Sequence, residues 1–200
     1  MENPQTTATS GRPYHHGGLR AALISTALEA IAEHGAASLS LRELARRAGV
    51  SHAAPAHHFG DKTGLLTAVA AEGYQLLADD TTTAWQRTGS FLEVGVAYVR
   101  FAIAHPAHFA VMFQPDMYRH DDPALAAART RARAALENPA GASALATGAE
   151  PQTAALAGWA LMHRLAAPWL TGNVADPDPE SLARAAGSYL FAAGQRGSGS

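Results

Sequence analysis

Apolar residues recur at spacings of three and four along most of the chain, and no stretch alternates as a β-strand would. The first such stretch runs from Leu19 to His34 and stops at Gly35. A longer one is expected to be capped by Asp61 and continues to about Thr82. The pattern predicts an all-α protein in which this longer helix joins two helical bodies.

Further helices are predicted after Thr88. Two of them begin at the same start signal, a capping aspartate followed by proline, at Asp122 and at Asp178. Residues 137–150 are rich in Ala, Gly, Ser, Thr and Pro, so we expect a flexible loop there. The predicted helical ranges are 91–105, 108–114, 123–136, 152–170 and 179–193.

After Leu39 the sequence carries the signals of two short helices joined by a glycine turn. Ser40 and Glu43 fit a capping box, in which each side chain accepts a hydrogen bond from the other's backbone amide. Gly49 lies where a chain leaving a helix needs a positive φ. Ser51 is expected to cap the next helix. This order is typical of a helix-turn-helix that enters the major groove of duplex DNA.

The second short helix carries small and imidazole side chains, which let a helix approach the edges of bases. We predict base contacts from His52, Ala53 and Ala54. His57 and His58 are assigned to phosphate contact or to packing. The predicted reading surface therefore comprises Ser51, His52, Ala53, Ala54, His57 and His58.

Phosphate contacts are predicted from the ends of the neighbouring helices. Arg42 lies in the first turn of its helix, and Lys62 lies at the start of the long helix. The free amides around Thr63 add the positive end of a helix dipole, which can bind a phosphate. Arg46 and Arg47 are further candidates, although each is equally well explained as part of a solvated helix face.

The chain from Leu19 to Leu77 resembles the DNA-binding half of the TetR family of one-component repressors. The resemblance is carried by two motifs, which are Leu44-Ala45-x-x-Ala48-Gly49-Val50-Ser51 and His58-Phe59-Gly60-Asp61-Lys62-Thr63-Gly64-Leu65-Leu66. The chain departs from the family pattern at Ala56, where the family usually has a tyrosine that contacts phosphate.

The resemblance implies a homodimer that binds a palindromic double-stranded DNA operator and carries a C-terminal bundle for a small-molecule effector. It also suggests how the chain is divided. We expect a flexible arm at 1–17, a DNA-binding domain at 18–78, a ligand-binding and dimerisation domain at 79–193, and a disordered tail at 194–200.

Aromatic and apolar residues of the second half suit a small-molecule pocket between helices, and they suit an ordinary core equally well. One branch of the TetR family carries Trp, His and Gly on a late helix. Trp159 and His163 match the first two, and Arg164 replaces the glycine. The pocket candidates are Tyr98, Phe101, His105, Phe109, Met112, Phe113, Trp159, Met162 and His163. By resemblance to the family's four-helix interface, the predicted partner contacts are Leu156, Trp159, Ala166, Leu182, Ala186 and Leu190.

Composition narrows the possible functions. The chain has no cysteine, which excludes disulfides and thiolate metal sites. It lacks the Gly-x-Ser-x-Gly, His-Glu-x-x-His and phosphate-loop motifs, so we expect neither an enzyme nor a bound cofactor. His105 and His108 lie one turn apart without a clear third ligand, so we expect no metal site. No signal peptide or membrane-length apolar run is present, which indicates a cytoplasmic protein without a membrane partner.

The net charge of −2 is divided unevenly. Residues 1–62 carry six Lys or Arg against five Asp or Glu, whereas the remainder carries nine against twelve. This division suits a site-specific DNA binder better than a protein that coats nucleic acid. We predict a ligand-responsive transcriptional regulator. The alternatives are a helical small-molecule-binding protein without sequence-specific DNA binding and an architectural protein that binds any duplex.

Overall fold

The computed structural model describes residues 16–147, 150–171 and 178–192. Every regular element in those ranges is helical, which confirms the all-α class. The predicted tail at 194–200 and most of the predicted arm lie outside the described residues, although the first helix already includes the arm's last two residues. The helices are α1 His16–His34, α2 Leu41–Arg47, α3 Ala53–Phe59, α4 Lys62–Thr88, α5 Phe91–Ala104, α6 Pro106–Met112, α7 Pro123–Thr147, α8 Pro151–Leu170 and α9 Pro179–Ala192, with 3₁₀ turns at Ala36–Ser38 and Pro115–Met117.

Helices α1, α2 and α3 form a head around one apolar core, which the first turns of α4 complete. Leu23, Leu44 and Phe59 are buried in it. Val111 and Leu125, from α6 and α7, are buried in the same core. The head is therefore packed directly on the second half of the chain, and α4 passes without interruption through the domain boundary expected at residue 78.

The turns of the head follow the sequence signals in part. Gly49 has a φ of 67°, and the Asp61 carboxylate accepts a hydrogen bond from the Gly64 backbone amide at 2.8 Å, so the predicted turn and the cap of α4 are both confirmed. The predicted Ser51 cap is wrong. The Ser51 carbonyl, rather than its hydroxyl, accepts the Ala54 N–H at 3.0 Å, and His52 stands at the cap position without a side-chain capping bond.

The capping box predicted at the start of α2 is also wrong. Ser40 has the extended backbone of an N-cap, but its side chain makes no capping hydrogen bond. The Glu43 carboxylate instead accepts hydrogen bonds from Arg46 and Arg47. Three hydrogen bonds from two guanidinium groups thus satisfy the Glu43 carboxylate in place of the Ser40 backbone amide.

The predicted loop at 137–150 is wrong over most of its length, because α7 continues to Thr147. Pro139 lies inside this helix and removes one backbone hydrogen bond. Ala140 is fully buried in a small core shared with α5 and α8. The high helix propensity of alanine and the burial of Ala140 both favour the helix on the C-terminal side of Pro139.

Helices α4, α5, α7, α8 and α9 enclose the second large core, to which α6 also contributes. Tyr98 and Phe101 of α5 are its largest fully buried side chains. Helices α5 and α6 meet at a bend of 104°, which coincides with Pro106 at the first position of α6. Across the described ranges no single helix has both the length and the apolar character of a membrane span.

Candidate nucleic-acid interface and effector cavity

Helix α3 has a buried face and an exposed face. Pro55 and Phe59 are buried, and the Arg20 guanidinium of α1 lies 5.3 Å above the centre of the Phe59 ring. Buried side chains therefore fix the orientation of this short helix. On the other side, Ser51, His52, Ala53, Ala56 and His57 are exposed, and Ala54 and His58 are half-buried.

The predicted arginines of α2 differ in their partners. Arg46 pairs with Glu43 at 2.6 Å, and Arg47 pairs with Glu33 of α1 at 2.7 Å. Hydrogen bonds from Arg46 and then Arg47 lower the pKa of Glu43 to about 2. Arg42 is exposed and has no acidic partner among the described residues. Arg47 thus connects α1 to α2, whereas Arg42 is available to a phosphate.

The polar groups at the start of α4 already have more hydrogen-bond partners than the sequence suggests. The Lys62 ammonium donates a hydrogen bond to the Ala37 carbonyl at 2.5 Å, and Thr63 is half-buried. The Gly64 amide is bound by the Asp61 carboxylate, and this bond is the largest of the interactions that lower the pKa of Asp61. One of the amides expected to be free near Thr63 is therefore already used by the cap.

A cavity of about 720 Å³ lies between α4, α5, α7 and α8. Of the predicted pocket residues, Tyr98, Phe113 and Trp159 line it. The remaining lining residues are Tyr74, Leu77, His120, Ala126, Arg129, Thr130, Ala132, Arg133, Leu136, Glu137, Gln152, Ala155 and Leu156.

His163 lies at the centre of an aromatic cluster beside the cavity. Its ring stacks on Trp159 and Phe109 at centroid distances of 5.2 and 5.1 Å, and its Nδ1 lies 3.0 Å from the Tyr98 hydroxyl. Phe113 meets the same ring edge-on. Burial lowers the pKa of His163, with a smaller contribution from Arg164, and burial raises the pKa of Tyr98.

The other pocket candidates belong to the surrounding core. Phe101, Met112 and Met162 are buried in it, and His105 packs on the Phe101 ring at 5.2 Å. These side chains support the cavity wall rather than face the cavity, although Met162 also lines a smaller void next to Tyr98. In the described part of the chain, no three side chains of the metal-binding types come close enough to share an ion.

Some of the predicted partner contacts are exposed in the structure, and others are buried. Leu156 and Leu182 are 64% and 37% exposed, large values for leucine, and Ala186 is half-buried. Ala166 is fully buried in the core of the chain and offers no surface to a partner in this structure. Trp159 is half-buried and lines the cavity, and the Leu190 side chain lies outside the described residues.

Sequence reasoning missed several residues that the structure shows near the predicted sites. Tyr189 is 83% exposed on α9, one heptad after Leu182, and that spacing could have revealed it. Arg129 and Arg133 face the cavity from successive turns of α7. Their spacing of four marks a common helix face, but only the fold shows that this face borders a cavity. No sequence pattern marks Arg119, because its partner Asp61 is distant in the sequence.

Two family models match the chain in succession. Residues 23–69 match the model for bacterial regulatory proteins of the tetR family, and residues 91–188 match the tetracyclin repressor-like C-terminal domain. The chain belongs to the TetR family of transcriptional regulators and carries its helix-turn-helix DNA-binding unit. The family resemblance predicted from the two sequence motifs is confirmed.

Individual relatives agree with this assignment. The HTH-type transcriptional regulator BetI of Rhizobium meliloti (strain 1021) is 36% identical over 81 residues, which is 40% of each protein. A protein of unknown function from Rhodococcus sp. RHA1 is 29% identical and superposes with a TM-score of 0.77 over 92% of this chain and 98% of its own. A tetR-family regulatory protein from Rhodococcus RHA1 shares the fold, with a TM-score of 0.68 and 22% identity over 88% of this chain and 95% of its own.

Proposed function

We propose that this regulator is a homodimeric repressor that leaves a palindromic operator when a small molecule occupies its cavity. The observation that carries the proposal is the orientation of α3, whose buried Pro55 and Phe59 hold His52, Ala53 and His57 toward solvent. Small exposed side chains at the start of a recognition helix allow close approach to base edges. We infer a cytoplasmic location, because the proposed operator is part of the chromosome.

Dimerisation would supply the additional base-pair contacts that a single head lacks. Helix α3 has only 7 residues, so a single copy contacts few base pairs. Two copies held about 34–36 Å apart would enter successive major grooves of an inverted repeat. The exposed apolar side chains Leu156 of α8 and Leu182 and Tyr189 of α9 support these helices as the partner contact. Covering these side chains would remove apolar surface from water, which favours association.

Effector control is supported by the segment that follows α6. Phe113 and His120 line the cavity, and Arg119 lies between them in sequence and bonds to Asp61 at the start of α4. A ligand that displaces Phe113 or His120 would therefore shift the helix that follows α3. By linkage, such a ligand weakens operator binding by the ratio of its affinities for the free and DNA-bound conformations.

Selection of DNA by the purified protein from random genomic fragments tests this function. We expect enrichment of one inverted repeat whose half-site centres are about one helical turn apart, and sedimentation should show a dimer. Equal affinity for all duplexes would instead favour an architectural protein. Absence of any DNA binding would favour a helical carrier of small molecules.

A further inference from the structure

The cavity combines an apolar inner wall with charged groups that come from one helix. Its inner wall includes Leu77, Tyr98, Phe113 and Trp159. The Tyr98 hydroxyl is already paired with the His163 ring nitrogen. The wall therefore provides flat apolar surface, and a ligand must find its charged partners on α7.

Counted over the described residues, helix α7 offers the cavity one unpaired positive charge. Arg133 donates a hydrogen bond to Glu137 at 2.6 Å, so these two lining residues neutralise each other. Arg131 lies between the two lining arginines in sequence and is paired with Asp79 of α4 at 2.5 Å. Arg129 lines the same cavity and has no acidic partner within the described ranges.

The charge of Arg129 also acts on the inner wall. Tyr74 of α4 lines the cavity and donates its hydroxyl to the Met112 carbonyl at 3.0 Å. Burial and the neighbouring Tyr118 raise the pKa of Tyr74, and the positive charge of Arg129 opposes that rise. Arg129 and Tyr74 therefore line the same cavity, and the positive charge acts on the wall that Tyr74 forms.

We propose that the cavity binds an organic anion with a flat apolar body, and that Arg129 is the counterion of its acidic group. The proposal rests on the function proposed above and specifies the class of effector for the same cavity. A guanidinium binds carboxylate or sulfonate through two parallel hydrogen bonds, whereas a cationic ligand would be repelled by it. The volume of about 720 Å³ is within the usual range for such ligands.

Two fluorescent probes of nearly identical shape test the charge requirement. 8-Anilinonaphthalene-1-sulfonate carries the anion, and N-phenyl-1-naphthylamine has the same aromatic skeleton without it. Arg129→Gln should weaken sulfonate binding about tenfold and change binding of the neutral probe by less than about twofold. Arg129→Lys, which retains the charge, should recover part of the loss. Arg131→Gln is the matched control and should alter neither affinity.

Three outcomes would overturn the proposal. The first is unchanged sulfonate binding in Arg129→Gln, and the second is an equal loss for both probes. The third is binding of neither probe by the wild-type protein. Fluorescence anisotropy with the selected DNA, measured on the same protein samples, tests the DNA-binding part separately.

Discussion

Arg119 Nη2 donates a hydrogen bond to Asp61 Oδ2 at 2.7 Å and so joins the segment after α6 to the start of α4. The same aspartate caps α4 through the Gly64 amide. The Arg119 backbone amide adds a second bond, to Thr67 Oγ1 at 3.0 Å. Phe59, the last residue of α3, lies two positions before Asp61, so this bond is adjacent to the end of the predicted reading helix.

Replacing Arg119 should loosen the connection between the cavity and the head. In the wild-type protein, we expect 8-anilinonaphthalene-1-sulfonate to change backbone amide exchange at residues 61–67. In Arg119→Ala this change should shrink, because only the backbone bond to Thr67 remains. Arg131→Ala, which breaks a different ion pair between α7 and α4, should preserve it. Equal probe-induced changes in wild type and Arg119→Ala would contradict this route.

Two arginines of α2 should have different roles: Arg42 should contact DNA, and Arg47 should stabilise the fold. Arg42→Ala should reduce the dependence of log K on log salt by about one unit for every duplex, because it removes one phosphate contact. Arg47→Ala should leave the slope unchanged and lower the melting temperature, since Arg47 joins Glu33 and Glu43 across two helices. Anisotropy titrations at several salt concentrations check both, and equal slopes in the two variants would refute the distinction.

The contact between α3 and α4 requires a glycine. A Cβ added at Gly64 would lie 2.0 Å from the Phe59 carbonyl oxygen, so Gly64→Ala must push the end of α3 away. We expect a loss of about 1–3 kcal/mol in the free energy of unfolding. At Gly141 of α7 the nearest atom is 3.9 Å away, and Gly141→Ala should stabilise by about 0.5–1 kcal/mol. Urea unfolding compares the two variants, and equal stabilities would contradict the packing described here.

A buried histidine should make stability depend on pH. His108 of α6 lies 3.3 Å from Glu72, and its pKa is lowered from 6.5 mainly by burial; Glu72 opposes the shift and His105 adds to it. The native state therefore binds this proton only at a pH below the unfolded pKa. Between the two pKa values the unfolded state holds more protons, so the free energy of unfolding falls as the pH drops below about 6.5.

His108→Gln should flatten this decline. Because burial also lowers the pKa of His163, part of the slope should remain. Urea unfolding at pH values from about 7.5 to about 5 measures the effect. His57→Gln, at an exposed position of α3, is the control and should retain the wild-type slope. A His108→Gln slope equal to that of wild type would show that this histidine does not carry the effect.

Features set by local sequence were predictable, whereas features set by packing were not. Asp61 and Gly49 act through their own neighbours in the chain, and both roles could be inferred from the sequence. Pro139 and the small residues around it suggested a loop, because the sequence does not show that Ala140 would be buried. The charge at Arg129 was missed because its importance depends on which arginines of α7 find acidic partners.

The most direct test concerns the exposed face of α3. Ala53 is the first residue of that helix and is exposed, so Ala53→Glu should leave the fold intact and place a carboxylate against the DNA. Like-charge repulsion of several kcal/mol would weaken binding to the selected operator at least about 100-fold. Ala127→Glu, at an exposed position of α7, should bind as wild type does. Fluorescence anisotropy should show this loss with the oligomeric state unchanged in sedimentation; wild-type affinity in Ala53→Glu would contradict the assignment of α3 as the DNA-reading helix.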